Sequence, residues 1–443
     1  MKFTNLAVNV VRHRQSLTDF RFSEILIPAL QKGLMAQTHY IFPSSGKPAF
    51  SLQVDLKDTE GICKNDFEEA RDHFLINNDA FPYGLSELQW WEYCLSPHSY
   101  LALDDWKCQI GLNLFNRFLQ LDINGQSIQL VDPGAGNELL SPTNWFDQER
   151  HELWFASWPA EATVRRILNP QDNVRATIWK LSVRDNRIMQ VWQGNLGDSL
   201  HQLSLNPDRR FLILTELGLR SEETIPALSS DQKGAGRIPI RESRSVPSKI
   251  LVLDLKTGEE WRLPILTAGH VEFDPQDPDV CYLSGHNIGL VGNNVVIFGT
   301  GIIQKFRLRA SGPELLGEFT HPCFHRITTH IVFQHHGRTM IGVSGYPGTI
   351  FLIDASRMDL HKTIEIESKD VVDASQLPHI CRQDSYGIAA SGDGQALLVA
   401  GAGFIRVADM DEGRFIFNEK IEGYCAGSCF TGHTGHISSR QNS

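Results

Sequence analysis

The chain has 443 residues, 41% of them hydrophobic and 21% charged, and its formal net charge is −11. That mixture suits a globular protein with a sizeable core. The acidic balance argues against a nucleic-acid partner, which needs clustered Lys and Arg. No run approaches the roughly eighteen consecutive apolar residues of a membrane span, so no membrane partner is expected.

The N-terminus has a short apolar stretch, Leu6 to Val11, but neither a long apolar core nor a small-residue cleavage site, so no signal peptide is expected. Eight cysteines are scattered along the chain. This is not the dense spacing of a disulfide scaffold and points to a reducing, cytoplasmic setting. Residues 1–47 read as a helical or irregular extension packed on the main body. The apolar pattern from Ser16 to Leu34 predicts a helix that Pro28 would interrupt. A second short helix is predicted from Asn65 to Leu75, capped by Asn65 or Asp66.

From residue 48 onward the dominant signal is repetition. An alternating apolar run ends in a polar residue at Asp55, Asp122, Ser182, Asp254, Arg307, Asp354 and Asp409, and a turn and a second run follow. These anchors lie 67, 60, 72, 53, 47 and 55 residues apart. Four short strands repeated every fifty to sixty residues, with Asn-Gly and Thr-Gly turns, describe a propeller rather than a sandwich. The predicted fold is therefore all-β: a seven-bladed β-propeller with small N-terminal helices, one domain over residues 1–443. A long insertion at 217–248 gathers Arg220, Lys233, Arg237, Arg241 and Arg244 in an otherwise acidic chain. A loop of that length in a compact domain is a candidate lid, and Arg237 and Arg241 are its candidate contacts to an acidic substrate. Residues 424–443 read as a tail, because the Cys425-to-His436 run misses zinc-knuckle spacing.

Four histidines stand at the mouths of successive repeats: His201, His270, His330 and His379. The first strand of a propeller blade lines the central channel, so equivalent positions converge on one axis. Neutral imidazoles around one point suit a divalent metal, Mn²⁺ or Fe²⁺, with Zn²⁺ a further candidate. His325 and Arg382 are the candidate catalytic groups beside them, and Glu272 and Asp274 are further acid–base candidates. Against this stands a plainer reading: propeller repeats also carry histidines that only bond neighbouring backbone. The chain has no Gly-x-Ser-x-Gly elbow, phosphate loop, dinucleotide fingerprint or His-Glu-x-x-His motif.

The segment from Gly269 to His286, then Thr329 to Phe333, then Pro378-His379 with the later Gly392-Asp393-Gly394, resembles the oligogalacturonate lyases over about 130 residues. That resemblance implies a seven-bladed propeller, a Mn²⁺ held by channel histidines and β-elimination on an acidic sugar, with His270, His330 and His379 as the matching ligands. The chain lacks a close equivalent of the Gln and second His expected beside His330, which leaves the pectin substrate open. One histidine per blade is also similar to the carotenoid cleavage oxygenases, in architecture alone. Together these readings predict a metal-dependent lyase or isomerase acting on a small acidic molecule or sugar acid. The alternatives are an Fe²⁺ oxygenase and a non-catalytic interaction scaffold.

Overall fold

The structure is a computed structural model. It describes most of residues 134–158, 175–216, 248–285, 301–365 and 387–420, and the strand backbone in residues 8–55, 100–131 and 288–297. The described strands form consecutive antiparallel sheets over residues 8–55, 100–131, 138–196, 200–265, 268–319, 327–365 and 387–420. From the second sheet on, the main path of each is a simple meander; the third also pairs Glu138–Leu140 onto its second strand. Six of the seven sequence anchors fall on the third strand of a meander: Phe118–Asp122, Val174–Ser182, Ser248–Asp254, Ile302–Arg309, Thr349–Asp354 and Phe404–Asp409. The remaining anchor strand, Phe50–Asp55, lies between Val8–Arg12 and Leu34–Ile41.

The sheets pack face to face, and this explains the sequence pattern. Phe211 and Ile213 enter a cluster with Val271, Cys281 and Leu283 of the fifth sheet. Between them in sequence, Leu212 and Leu214 enter a cluster with Trp154, Ile178 and Trp192 of the third. The same division sends Ile341 and Val343 toward Tyr282 and Phe351, and Met340 toward Leu397 and Val399 of the seventh sheet. A strand buried on both faces must be apolar at every position, hence the continuous runs in second and third strands. Fourth strands, at the outer edge, are instead partly solvated: Arg187–Leu196 and Gly312–Phe319 each expose half of their residues. First strands lie against one another: Leu200–Leu205 beside Ala268–Phe273, that beside Ile327–His335, and that beside Gly387–Ala390. Four-stranded antiparallel sheets with neighbouring inner strands and exposed outer ones make a β-propeller.

The polar anchor residues have a local role. Asp254 Oδ1 accepts from the backbone N–H of Lys256 at 2.8 Å and Thr257 at 3.3 Å. Asp354 does the same with Ser356 and Arg357, and Asp409 with Glu412. The turn closes where Gly258 and Gly413 take φ of +79° and +66°. A second set of turns, after the first strands, ties each sheet to the next. Arg209 donates to Asp147 across the third and fourth sheets. Asn206 Nδ2 donates to Pro278 O at 3.1 Å, Gln276 Nε2 to Gln334 Oε1 at 2.9 Å, and His335 Nδ1 to Gly394 O at 2.8 Å.

Two expectations are corrected. The segment predicted as a helix over 16–34 contains strand Glu24–Gln31, paired with Leu34–Ile41. Its β-branched Ile25 and Ile27 and its Pro28 suit an extended chain better than a helix. The fifth sheet also carries an unforeseen two-stranded hairpin, Ile288–Val291 with Asn294–Ile297, between its second and third strands. The predicted helix at 65–75, most of the 217–248 insertion and the 424–443 tail lie outside the described residues. Among the described residues no helix is long and apolar enough to cross a membrane.

Candidate functional site

The first strands bring together Gln202, His270 and His330, each buried. The register that places them is set by the second strands. Phe211, Val280 and Met340 hold equivalent positions, opposite Asp254, Arg307 and Asp354 on the third strands. Counting four residues on gives Thr215, Ser284 and Ser344. Gln202 N–H donates to Thr215 Oγ1 at 3.0 Å, and His270 N–H donates to Ser284 Oγ at 2.8 Å. Gln202, not His201, is thus the counterpart of His270. Thr329 pairs with Ser344, which puts His330 one residue further along. His201, His270 and His330 therefore occupy three successive register positions rather than one shared position. A bulge near the start of each first strand separates the register from the spacing visible in the sequence.

Gln202 holds His270 in a single orientation. Its Oε1 lies 3.0 Å from His270 Nδ1 and accepts from Val271 N–H at 2.9 Å, while its Nε2 donates to Val271 O at 2.9 Å. The amide orientation follows from the carbonyl partner, so His270 Nδ1 is the protonated nitrogen and Nε2 carries the lone pair. His330 is the mirror case: its Nε2 lies 3.1 Å from Tyr282 O, a carbonyl, so Nε2 donates and Nδ1 carries the lone pair. The two rings meet edge to face, centroids 6.3 Å apart at 72°.

Replacing Gln202 by alanine would leave the Nδ1–H of His270 and the N–H of Val271 without their acceptor in a buried layer. The expected cost is roughly 2 kcal/mol of stability, read by urea denaturation. A loss within experimental error would mean that Gln202 does not organise this layer.

Asp274, first read as an acid–base candidate, is committed elsewhere. Asp274 Oδ1 accepts from Gln276 and Asp277 N–H, and Oδ2 accepts from Tyr282 Oη at 2.8 Å. Burial and the adjacent Asp274 charge raise the Tyr282 phenol far above its ordinary range, and burial does the same to the Cys281 thiol. Neither is a nucleophile at neutral pH.

Of the remaining predicted site residues, His201 is described only through its backbone, on Leu200–Leu205. His325, His379, Arg382, Arg237 and Arg241 lie outside the described residues. Gln202 was missed because an amide does not resemble a ligand. Its place two residues after Leu200 in the histidine-bearing repeat was the available signal.

No family model and no curated protein matches the chain. Among solved structures, a Kuenenia stuttgartiensis hydrazine synthase is similar over 72% of this chain and 78% of that one, at 10% identity and a TM-score of 0.46. The WD40 β-propeller domain of Doa1 is similar over 74% and 83%, at 10% identity and a TM-score of 0.44.

Proposed function

We propose that the chain is a seven-bladed propeller enzyme that binds a divalent metal, Mn²⁺, Fe²⁺ or Zn²⁺, beside its central channel. The observation that carries this reading is the meeting of His270 and His330 from adjacent sheets, each ring fixed by donating one N–H to a carbonyl oxygen. Metal-binding imidazoles are characteristically oriented in this way, with the second nitrogen held by an oxygen acceptor. Two such rings supply half of a four-coordinate set; His201, His325 and His379 are the candidates to complete it. The ring of seven is supported by Glu24–Gln31 of the first sheet lying beside Ala396–Gly401 of the seventh.

A bound divalent ion would supply Lewis acidity toward a carboxylate or carbonyl. The chain's own contribution would be to hold that ion through His270 and His330, to neutralise an acidic substrate with Arg237 and Arg241, and to move a proton with His325 near Arg382. This describes a lyase or isomerase on a small acidic molecule or sugar acid. An Fe²⁺ oxygenase would use the same ligands.

A second reading, a non-catalytic interaction scaffold, is favoured by the register. Leu203 and Val271 hold the position equivalent to His330 and pack into the core between sheets. His330 bonds back to the fifth sheet from that same position, as a structural side chain would.

Elemental analysis of untagged protein beside a His270→Ala/His330→Ala variant decides between them. The expected result is about one equivalent more metal in the parent than in a variant that still folds. Equal metal content in the two, or none in the parent after reloading, would leave the scaffold reading in place.

A further inference from the structure

We propose that His335, His336 and Asp411 form a separate binding site for a borderline first-row divalent cation, best matched by Zn²⁺, that fastens the sixth sheet to the seventh. The sequence places His335 and His336 together in a turn and shows nothing more. The fold brings Asp411, 75 residues away, to both of them: its Oδ1 lies 2.8 Å from His336 Nε2 and 3.4 Å from His335 Nε2. One potential ligand atom from each residue lies within 4.8 Å of the others.

Two features make this more than a surface ion pair. His335 is buried and its Nδ1 faces Gly394 O, a carbonyl that can only accept, so the neutral ring carries its lone pair on Nε2. That lone pair points at the Asp411 carboxylate. Two acceptors 3.4 Å apart repel unless a cation lies between them.

The second feature is the turn. Adjacent residues on a strand point to opposite faces. Here His336 takes φ of +48° and Gly337 +74°, which lets neighbouring imidazoles serve one oxygen, with ring centroids 4.2 Å apart. Ligand atoms about 2.0–2.1 Å from a tetrahedral zinc lie roughly 3.3 Å from one another. The His335–Asp411 separation already matches that value, and the exposed His336 has room to open.

Two imidazoles and a carboxylate favour Zn²⁺, Cu²⁺ or Ni²⁺ over Mg²⁺ or Ca²⁺, which prefer oxygen ligands. Lys362 Nζ donates to Asp411 O at 2.9 Å. That bond ties the acidic turn to the sixth sheet. The donor set leaves room for a water or an outside ligand in the fourth position.

The test is a zinc titration of untagged, full-length protein at pH 7.5 against a chromophoric chelator, with Co²⁺ absorption reporting coordination. The same measurements are made on His336→Ala and Asp411→Asn, both exposed positions whose substitution spares the core. The parent should bind one zinc equivalent that either variant weakens at least about tenfold. The His270→Ala/His330→Ala variant should keep this equivalent, which separates the site from the proposed channel metal. Identical zinc binding in the parent and both variants, or no binding by the folded parent, would overturn the assignment.

Discussion

Replacing Gly394 with alanine is expected to destabilise the protein by roughly 3 kcal/mol or more. Gly394 holds φ of +70°, and a Cβ there would stand 1.6 Å from Gln334 O, a backbone atom of the preceding sheet. The strained dihedral alone would cost about 1 kcal/mol. The overlap is worse, because Gln334 O belongs to a paired strand and cannot rotate away as a side-chain tip could. Relief requires the backbone at Gly394 to lift, which also breaks the bond from His335 Nδ1 to Gly394 O. Thermal denaturation of Gly394→Ala beside Gly392→Ala, a nearby glycine, measures the effect. A melting temperature equal to the parent's would show that the sixth and seventh sheets do not meet as described.

The Asp147→Ala variant is expected to lose about 3 kcal/mol, and Asp147→Asn distinctly less. Asp147 is buried and accepts from Arg209 and from the N–H groups of Glu149 at 3.0 Å and Arg150 at 3.2 Å. The alanine takes the buried carboxylate from a partly buried guanidinium, leaving it the exposed Glu149, and uncaps the turn. The asparagine keeps a side-chain oxygen for the turn and gives up only the charge. Burial by itself would raise the Asp147 carboxyl; the Arg209 hydrogen bond and charge and the two turn amides outweigh it and hold it below the usual range.

The pH dependence follows from that direction. A folded pKa lower than the unfolded one gives stability that is fully present above the unfolded value, about 4, and is lost as pH falls through the folded value. Asp254, through Arg210 and its turn amides, and Asp354, through Ser356 and its turn amides, shift the same way. Stability should therefore be flat at neutral pH and fall below about pH 4. Asp147→Asn should shallow that fall, as measured by urea denaturation at stepped pH. An unchanged acid limb would mean that the Arg209 pair contributes nothing to it.

Much of the propeller was legible in the sequence because its signals are local. Phe211 to Leu214 and Ile250 to Leu253 read as strands since both faces are buried, and that demand falls on every residue. Asp254, Asp354 and Asp409 marked strand ends because each caps a turn within three residues of itself. The N-terminal helix was misread for a related reason. An apolar spacing compatible with a helix over so short a run does not exclude an extended chain, and Pro28 and the β-branched neighbours decided the matter.

The sites depended on what the sequence could not carry. That His270 and His330 lie on neighbouring first strands was readable from the repeats. That they stand one register position apart was not, because a bulge shifts the pairing while leaving the sequence spacing unchanged. Gln202, the residue that fixes His270, acts from the preceding sheet, 68 residues away. Asp411 reaches His335 and His336 only because consecutive sheets stack face to face. The sequence by itself determined which segments extend, where they turn and that their faces are buried, since those are properties of a residue and its near neighbours. The tertiary structure alone decided which polar groups meet, since such meetings depend on how one sheet seats against the next.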